Sequence, residues 1–303
     1  MTFPLVFMRR ETKLQPAHLQ SYSPMQIRIE DEVEDVINKA QSGLGISDGD
    51  LSELTGVDRG IIRDLRKGKF NADAARAIAP HLRLAPSALV SLGQHDWQPE
   101  EIHLDGLYSD NTPFPLPGYE EMTVNAYLVV DPSTGEAAAF DTGASAKGLI
   151  KTLQGKAQKL SYIFLTHTHN DHIADLEELT SHLAPGGKVF VHPNEAIAGA
   201  DTLSEGQGFN LSSLTVTAHE TSGHSPGSTS YLIEGLERPV AIVGDAIFCA
   251  SIGGVRGDYL RTLKLIREHI LGLPGNTIIC AGHGPLTTVE NELNHNPFFA
   301  AQS

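Results

Sequence analysis

The sequence predicts a layered α/β protein that carries a small all-α domain at its N-terminal end. Residues 29–96 place apolar side chains at the spacing of short amphipathic helices. From residue 97 onward, short β-rich runs closed by turn residues alternate with longer helical runs, as in proteins built from layers of strands and helices. Several of the β-rich runs end on a histidine or an aspartate. Polar groups at strand ends are where α/β proteins place their functional sites.

The chain has 303 residues, of which 40% are hydrophobic, and this is enough for a substantial core. We divide it into an irregular lead-in at 1–28, a helical domain at 29–96 and an α/β domain at 97–303. No apolar run reaches the roughly 18 residues that a membrane helix needs. The basic pair near the start follows the apolar residues, which is the wrong order for a secretory signal. Two cysteines make no disulfide framework. These features predict a cytoplasmic protein with no membrane partner.

The net charge of −15 is concentrated in the larger domain. Residues 1–96 hold 12 Lys and Arg against 13 Asp and Glu, whereas the remainder holds 10 against 24. An acidic domain repels a phosphate backbone. We therefore expect a small-molecule substrate, and not nucleic acid, as the partner of the α/β domain.

The helical domain contains five short helical segments, and one pair of them is arranged like a DNA-binding unit. In "DLSELTGVDRGIIRDLRKGKF", Gly56 is a turn glycine, and Ile62, Leu65 and Gly68 follow at regular spacing. Here the sequence resembles the small five-helix domain of phage-repressor-type helix-turn-helix proteins. Five cations of this run could contact phosphates: Arg59, Arg63, Arg66, Lys67 and Lys69.

The alternative for these helices is a non-DNA role. The domain is close to neutral and mixes acidic residues into the basic run, which weakens the DNA interpretation. We favour an appendage that packs on the α/β domain, shapes its pocket or mediates homodimer formation.

The stretch "YIFLTHTHNDH", residues 162–172, is the main candidate metal site. A buried strand is followed at once by His167, His169, Asp171 and His172. Helical spacing would point the first two histidines to different sides, so a loop at a strand end is the better interpretation. Imidazole nitrogens with a carboxylate oxygen suit zinc, and also iron or manganese.

Three further ligand candidates lie at the ends of later strand-like runs. His224 lies in a glycine- and serine-rich turn, Asp245 follows "AIVG", and His283 follows "IICAG". A glycine beside each candidate lets the backbone turn and approach closely.

Together these motifs resemble the metallo-β-lactamase superfamily, a four-layer αββα sandwich, over about residues 107–299. The resemblance implies two divalent metal ions, with zinc as the expected metal and iron or manganese as alternatives. The first metal would be bound by His167, His169 and His224. The second would be bound by Asp171, His172 and His283, and Asp245 would bridge both. The early "DTG" would place Asp141 behind the histidine loop, steadying it without binding metal.

Within the superfamily the sequence is most similar to glyoxalase II-like thioester hydrolases. The run "AGHGPLTTVENELNHNPFF" carries this resemblance. Two departures put glutathione recognition in doubt: only 20 residues follow His283, and "GGVRGDY" replaces the usual "GRTD".

The resemblance predicts a hydrolase in which a metal-bridging hydroxide attacks the carbonyl of a thioester, ester or lactone. Zinc can lower the pKa of a bound water to about 7, so no serine or cysteine nucleophile is needed. Asp171 would also orient the hydroxide. Asn170, Arg256 and Tyr259 are the candidate substrate contacts, and Arg256 could bind a carboxylate bidentately.

Two other functions remain open from the sequence. Persulfide dioxygenases share these histidines and use one iron, so an oxidoreductase on the same fold is the first alternative. The second alternative is a DNA-binding regulator that acts through the N-terminal helices.

Overall fold

The computed structural model describes residues 27–114 and 122–301. Nearly all of the predicted lead-in, residues 1–26, therefore lies outside the described part of the chain.

The N-terminal region forms the five predicted α-helices, with a 3₁₀ turn at Ala79–Leu82 after the fourth. The helices are α1 (Val33–Leu44), α2 (Asp48–Thr55), α3 (Arg59–Leu65), α4 (Ala72–Ile78) and α5 (Pro86–Gln94). Ser47 caps α2 by accepting the backbone N–H of Asp50, and Gly56, the predicted turn glycine, ends α2 with φ 73°. Asp58 caps α3 in the same way, by accepting from the backbone N–H of Gly60.

The helices α2 and α3, which the sequence predicts to resemble a helix-turn-helix pair, have fewer free cations than their sequence suggests. Arg66 donates to Asp48 at 2.8 Å, and Lys69 donates to Asp64 at 3.1 Å. Two of the five basic side chains are thus already neutralised by carboxylates of the same region.

Two six-stranded sheets form the larger part of the molecule. The first sheet has the strand order β1-β2-β3-β4-β5-β6. Its strands are β1 (Leu107–Pro113), β2 (Thr123–Val130), β3 (Glu136–Phe140), β4 (Lys159–Phe164), β5 (Leu183–Val191) and β6 (Asp201–Thr202). Strands β3 to β6 are parallel to one another.

The second sheet faces the first. Its strands are β7 (Gly208–Leu211), β8 (Leu214–Glu220), β9 (Thr229–Glu234), β10 (Val240–Gly244), β13 (Ile278–Ala281) and β14 (Thr287–Thr288). They lie in the order β14-β13-β10-β9-β8-β7, and β10 and β13 run parallel. A small hairpin of β11 (Ile247–Phe248) and β12 (Ser251–Ile252) follows β10. The β-rich runs of the sequence are all strands in the structure, namely β2, β3, β4, β5, β8, β9, β10 and β13. The strands that the prediction missed are β1, β6, β7, β11, β12 and β14.

Five further helices flank the sheets. They are α6 (Lys147–Lys156), α7 (Asn170–Ile173), α8 (Leu176–Thr180), α9 (Tyr259–His269) and α10 (Val289–His295). The helical run "DHIADLEELTSHL" is divided in the structure into α7 and α8. The side chain of Asp175 accepts the hydroxyl of Ser145 and the backbone N–H of Ala146, both at 2.9 Å, and the chain turns there.

Three hydrophobic clusters hold the four layers together. One lies between the two sheets and includes Phe164 of the first and Tyr231 of the second. Another packs α6 and α8 on the outer face of the first sheet. The third covers the outer face of the second sheet. This arrangement confirms the predicted αββα sandwich with a helical region ahead of it.

The N-terminal helices belong to the third cluster. Ile37 of α1 and Leu89 of α5 are buried in the same cluster as Ile266 of α9 and Ile279 of β13. Because they share one core, the helical region and the outer layer of the second sheet support each other.

Over the described residues, the longest and most apolar helices fall short of what a bilayer-spanning segment requires.

Candidate metal centre

The ligand candidates meet at one edge of the sandwich because each follows the carboxyl end of a strand. His167 comes three residues after β4, Asp245 directly after β10 and His283 two residues after β13. His224 lies in the connection between β8 and β9. The fold therefore brings together side chains that are more than 100 residues apart in the chain.

One group of ligand atoms contains three histidines and one aspartate. Nδ1 of His169 lies 3.0 Å from Nε2 of His167 and 3.0 Å from Nε2 of His224. Oδ2 of Asp245 is 3.3 Å from Nε2 of His224 and 3.9 Å from Nε2 of His167. These four residues were predicted to surround the first metal.

A second group contains Asp171, His172 and His283. Oδ2 of Asp171 is 3.6 Å from Nε2 of His172 and 3.4 Å from Nε2 of His283. Asp245 contacts this group too, at 3.4 Å from His172 and 3.5 Å from His283. It is thus the carboxylate that touches both groups, as a bridging ligand would.

The hydrogen bonding of the buried ligand candidates and the space beside them also fit metal ions. Nε2 of His172 and Oδ1 of Asp245 are buried and have no hydrogen-bond partner. Unpartnered buried polar atoms are costly unless something binds them. A Cβ added to Gly282 would lie 2.2 Å from Oδ1 of Asp245 and 2.7 Å from Cε1 of His172, so only glycine leaves this space open. The imidazole and carboxylate donors match zinc, iron or manganese.

Asp141 lies behind the ligands, in the left-handed conformation with φ 57°. Its Oδ1 accepts the backbone N–H of Thr166 at 2.8 Å, and its Oδ2 accepts the Thr166 hydroxyl at 2.7 Å. Oδ2 also lies 2.9 Å from Nδ1 of His172. These contacts fix the ring of His172 with Nε2 pointing into the centre.

Charge and burial act in opposite directions on the central side chains. Burial lowers the pKa of His172, but Asp245 and Asp141 outweigh it and raise that pKa to about 10. Burial would raise the pKa of Asp245, but the neighbouring His172 and His283 hold it well below its usual range. Burial, reinforced by the charge of His172, lowers the pKa of His167 well below its usual range. The centre thus keeps a carboxylate ionised where cations would bind.

Glu195, in the short turn that follows β5, was not predicted as a site residue from the sequence. Its carboxylate accepts the backbone N–H and the hydroxyl of Thr168, which stands between His167 and His169. It also accepts the hydroxyl of Ser225, the residue after His224, and the backbone N–H of Gly227. One buried carboxylate therefore ties together the two loops that carry the histidines of the first group.

Glu30, in the N-terminal region, was likewise not predicted as a site residue from the sequence. Its Oε1 lies 4.0 Å from Nδ1 of His283, whose ring is oriented by the carbonyl oxygen of Thr123 at 2.8 Å. The adjacent Asp31 accepts hydrogen bonds from Lys39 and from the hydroxyl of Ser251. The segment before α1 is thereby fixed beside the centre.

The three predicted substrate contacts lie in different environments. Asn170 is exposed at the start of α7. Arg256 is exposed and lines a cavity of 270 Å³ together with Gly223 and Ser225, next to His224. Tyr259 is buried, and its ring packs against Gly43 of α1. Of the three, Arg256 thus has a cavity beside a metal-ligand candidate.

Residues 119–283, more than half of the chain, match the family description "Metallo-beta-lactamase superfamily". The chain belongs to the metallo-beta-lactamase superfamily. The predicted family and the predicted sandwich are both confirmed.

Two relatives of this chain are hydrolases by name. A protein of Bacillus subtilis named as a probable metallo-hydrolase is 32% identical over 198 residues, which cover 57% of this chain and 91% of that protein. A hydroxyacylglutathione hydrolase of Haemophilus influenzae is 30% identical over 190 residues, covering 55% of this chain and 89% of that protein. Both matches leave out a large part of this chain.

Among solved structures, the B3 metallo-beta-lactamase BLEG-1 is similar to this chain. It is 31% identical with a TM-score of 0.52, and the similarity covers 64% of this chain and all of that one. The family match at residues 119–283 does not include the helical region, residues 29–96.

Proposed function

We propose that this metal-dependent hydrolase cleaves a thioester, or an ester or lactone, of a small molecule, with two divalent metal ions bound by the seven predicted ligands. One observation carries the proposal: the two groups of ligand atoms are adjacent, and Asp245 contacts both. The Haemophilus influenzae relative is named for hydrolysis of a hydroxyacylglutathione, which is a thioester. Zinc is the ion we expect, with iron or manganese as alternatives.

When bound, such ions supply a hydroxide near neutral pH and polarise the carbonyl oxygen of the substrate. The residues of the chain would position the water and the substrate. Asp171, whose Oδ2 lies 3.4 Å from Nε2 of His283, would accept a hydrogen bond from the attacking water and orient it. A thiolate leaving group needs little protonation, and this suits a centre whose carboxylates are ionised.

Arg256 is our candidate for binding the part of the substrate away from the carbonyl. Its backbone N–H donates to the carbonyl oxygen of Gly223 at 2.8 Å, which holds its loop against the residue before His224. A guanidinium there could bind a carboxylate of the substrate with two parallel hydrogen bonds. Asn170, exposed at the start of α7, is our second candidate for contacting the substrate.

The test combines metal analysis with a panel of small thioesters, esters and lactones. We expect two equivalents of metal at the centre and turnover of at least one substrate class. Asp245→Asn should lower kcat/KM by about 10³-fold, equal to about 4 kcal/mol. Asp201→Asn, which alters a surface carboxylate paired with Lys188, is the matched control. A folded protein that hydrolyses its substrate without metal would refute the proposal, and oxygen uptake with a persulfide would favour the dioxygenase instead.

A further inference from the structure

A third group of metal-ligand side chains lies outside the centre. Glu205, His219 and His269 bring one ligand atom each to within 4.8 Å of one another. None of them belongs to the two groups that Asp245 joins.

The three residues come from three separate segments that pack on each other. Glu205 lies in the connection between β6 and β7, His219 on β8 and His269 at the last position of α9. The connection is held along β8, because the backbone N–H of Gly206 donates to Ala218 at 2.9 Å. His219 lies on the outer face of its strand, since its neighbour Ala218 is buried between the sheets.

The carboxylate of Glu205 is fixed before any ion arrives. Its Oε2 accepts the backbone N–H of Glu220 at 2.5 Å. Its Oε1 lies 2.9 Å from Nδ1 of His219. The side chain of His219 is 24% exposed and that of Glu205 is 50% exposed. Water can therefore reach the cluster and supply a fourth ligand to an ion.

The distance between Glu205 and His219 is close to a distance between ligand candidates of the metal centre. The 2.9 Å between Glu205 and His219 compares with 3.0 Å between His167 and His169. The ring centroids of His219 and His269 are 5.1 Å apart, as are those of His167 and His224, but the first two rings are stacked and the second two are perpendicular. Ligand atoms on one tetrahedral zinc ion are about 3.3 Å apart, as follows from zinc–ligand bonds of about 2.0 Å.

We propose that Glu205, His219 and His269 form a third divalent-metal site, for a zinc-type ion held by two imidazoles and one carboxylate. Two imidazoles favour such a borderline ion over calcium or magnesium, which prefer all-oxygen ligands. The rings of His219 and His269 are nearly parallel, at 18°. His269 is partly exposed at the end of its helix, and binding requires it to turn until its ring nitrogen faces the ion.

The site has a structural consequence for the cleft. It would join the end of α9 to β8, and α9 begins directly after the loop that carries Arg256. An ion at this site would hold α9, and with it the wall of the 270 Å³ cavity, against the second sheet.

The experiment measures zinc bound per full-length chain, after equilibration with buffered zinc, for matched variants. His219→Ala, His269→Ala and Glu205→Gln each remove one ligand. His103→Ala is the control, because His103 also pairs with a surface glutamate, Glu101 at 3.3 Å, but belongs to none of the three ligand groups found among the described residues. Thermal unfolding in a chelator checks that all variants are equally folded.

We expect the three ligand variants to bind one zinc equivalent less than the wild type and the control to bind the same number. Their melting temperatures should also rise less on adding zinc. Equal zinc binding by all five proteins would overturn the proposal and leave Glu205 and His219 as a hydrogen-bonded pair. The test does not depend on the proposed function. It compares the zinc bound by each variant with the zinc bound by the wild type, and this needs no hydrolytic activity at the centre.

Discussion

Glu30 places its carboxylate 4.0 Å from Nδ1 of His283, so a residue ahead of the first helix lies beside a metal-ligand candidate near the end of the chain. Glu30 lies outside residues 119–283, the part of the chain that matches the family. Backbone packing supports the contact, because a Cβ at Gly284 would lie 3.3 Å from the backbone nitrogen of Glu30.

Glu30→Gln should weaken binding of one metal equivalent by about tenfold, because a carboxylate beside the outer nitrogen of a ligating histidine strengthens that ligand. The effect should be at the low end of such changes, since the carbonyl oxygen of Thr123 still orients His283. Competition with a metal chelator measures it. Glu53→Gln, at an exposed position of α2, is the control, and equal affinities in both variants would contradict the prediction.

Glu195→Gln should affect the other half of the centre. The amide keeps the shape of the side chain but cannot accept at every position where Thr168, Ser225 and Gly227 donate. We expect metal affinity to fall by about 10- to 100-fold, as when groups that orient ligands are removed. Activity at saturating metal should recover in part, which a ligand variant would not show. Glu177→Gln on the exposed side of α8 should bind metal like the wild type.

Arg256→Ala should weaken substrate binding and leave the turnover rate nearly unchanged. We expect KM for a carboxylate-bearing substrate to rise about tenfold with kcat little changed, the result of losing uniform binding worth about 1.4 kcal/mol. Arg256→Lys should not restore KM, because an ammonium cannot form the paired hydrogen bonds. Steady-state kinetics with an uncharged ester of the same acyl group provides the control. An equal loss with both substrates would show that Arg256 does not bind the carboxylate.

Ile37→Ala tests the shared core. Ile37 is fully buried in the cluster that also contains Ile266 and Ile279, so its truncation should cost about 2 to 5 kcal/mol. We expect denaturant unfolding to show one transition, shifted for the whole chain, when followed by circular dichroism and by metal release. Leu54→Ala, at a side chain that is 57% exposed, should change stability by less than about 0.5 kcal/mol. Two transitions with the later one unchanged would show independent domains.

The ligand candidates could be predicted from sequence because their signal is local. Each follows an apolar strand and has a glycine or a second ligand beside it, as Asp245 and His283 do. Glu195 and Glu30 have no such local signal, since what distinguishes them is contact with Thr168, Ser225 and His283, which are remote in the chain. The break between α7 and α8 also depends on contacts between residues that are remote in the chain, because Asp175 accepts hydrogen bonds from Ser145 and Ala146. Strands of two residues, such as β6 and β14, are too short to show periodicity.

Glu292 of α10 carries a fully buried carboxyl group. Its Oε1 accepts the hydroxyl of Thr287 at 2.8 Å. Its Oε2 accepts the side-chain amide of Asn296 at 2.8 Å and the backbone N–H of Ala250 at 3.0 Å. Burial raises the pKa of Glu292 to about 7, although these hydrogen bonds lower it.

A raised carboxyl pKa means that the folded state binds the proton more tightly than the unfolded state, whose pKa is 4.5. The resulting stability is fully present below pH 4.5 and is lost as the pH rises through 7. The difference of about 2.5 pKa units corresponds to about 3 kcal/mol. Glu292→Gln should remove this dependence, because its amide can donate to Thr287 while its oxygen accepts from Ala250 and Asn296. Urea unfolding between pH 4.5 and 8 measures it, with Glu177→Gln as the control, and parallel pH profiles for the wild type and Glu292→Gln would show that Glu292 does not titrate in this range.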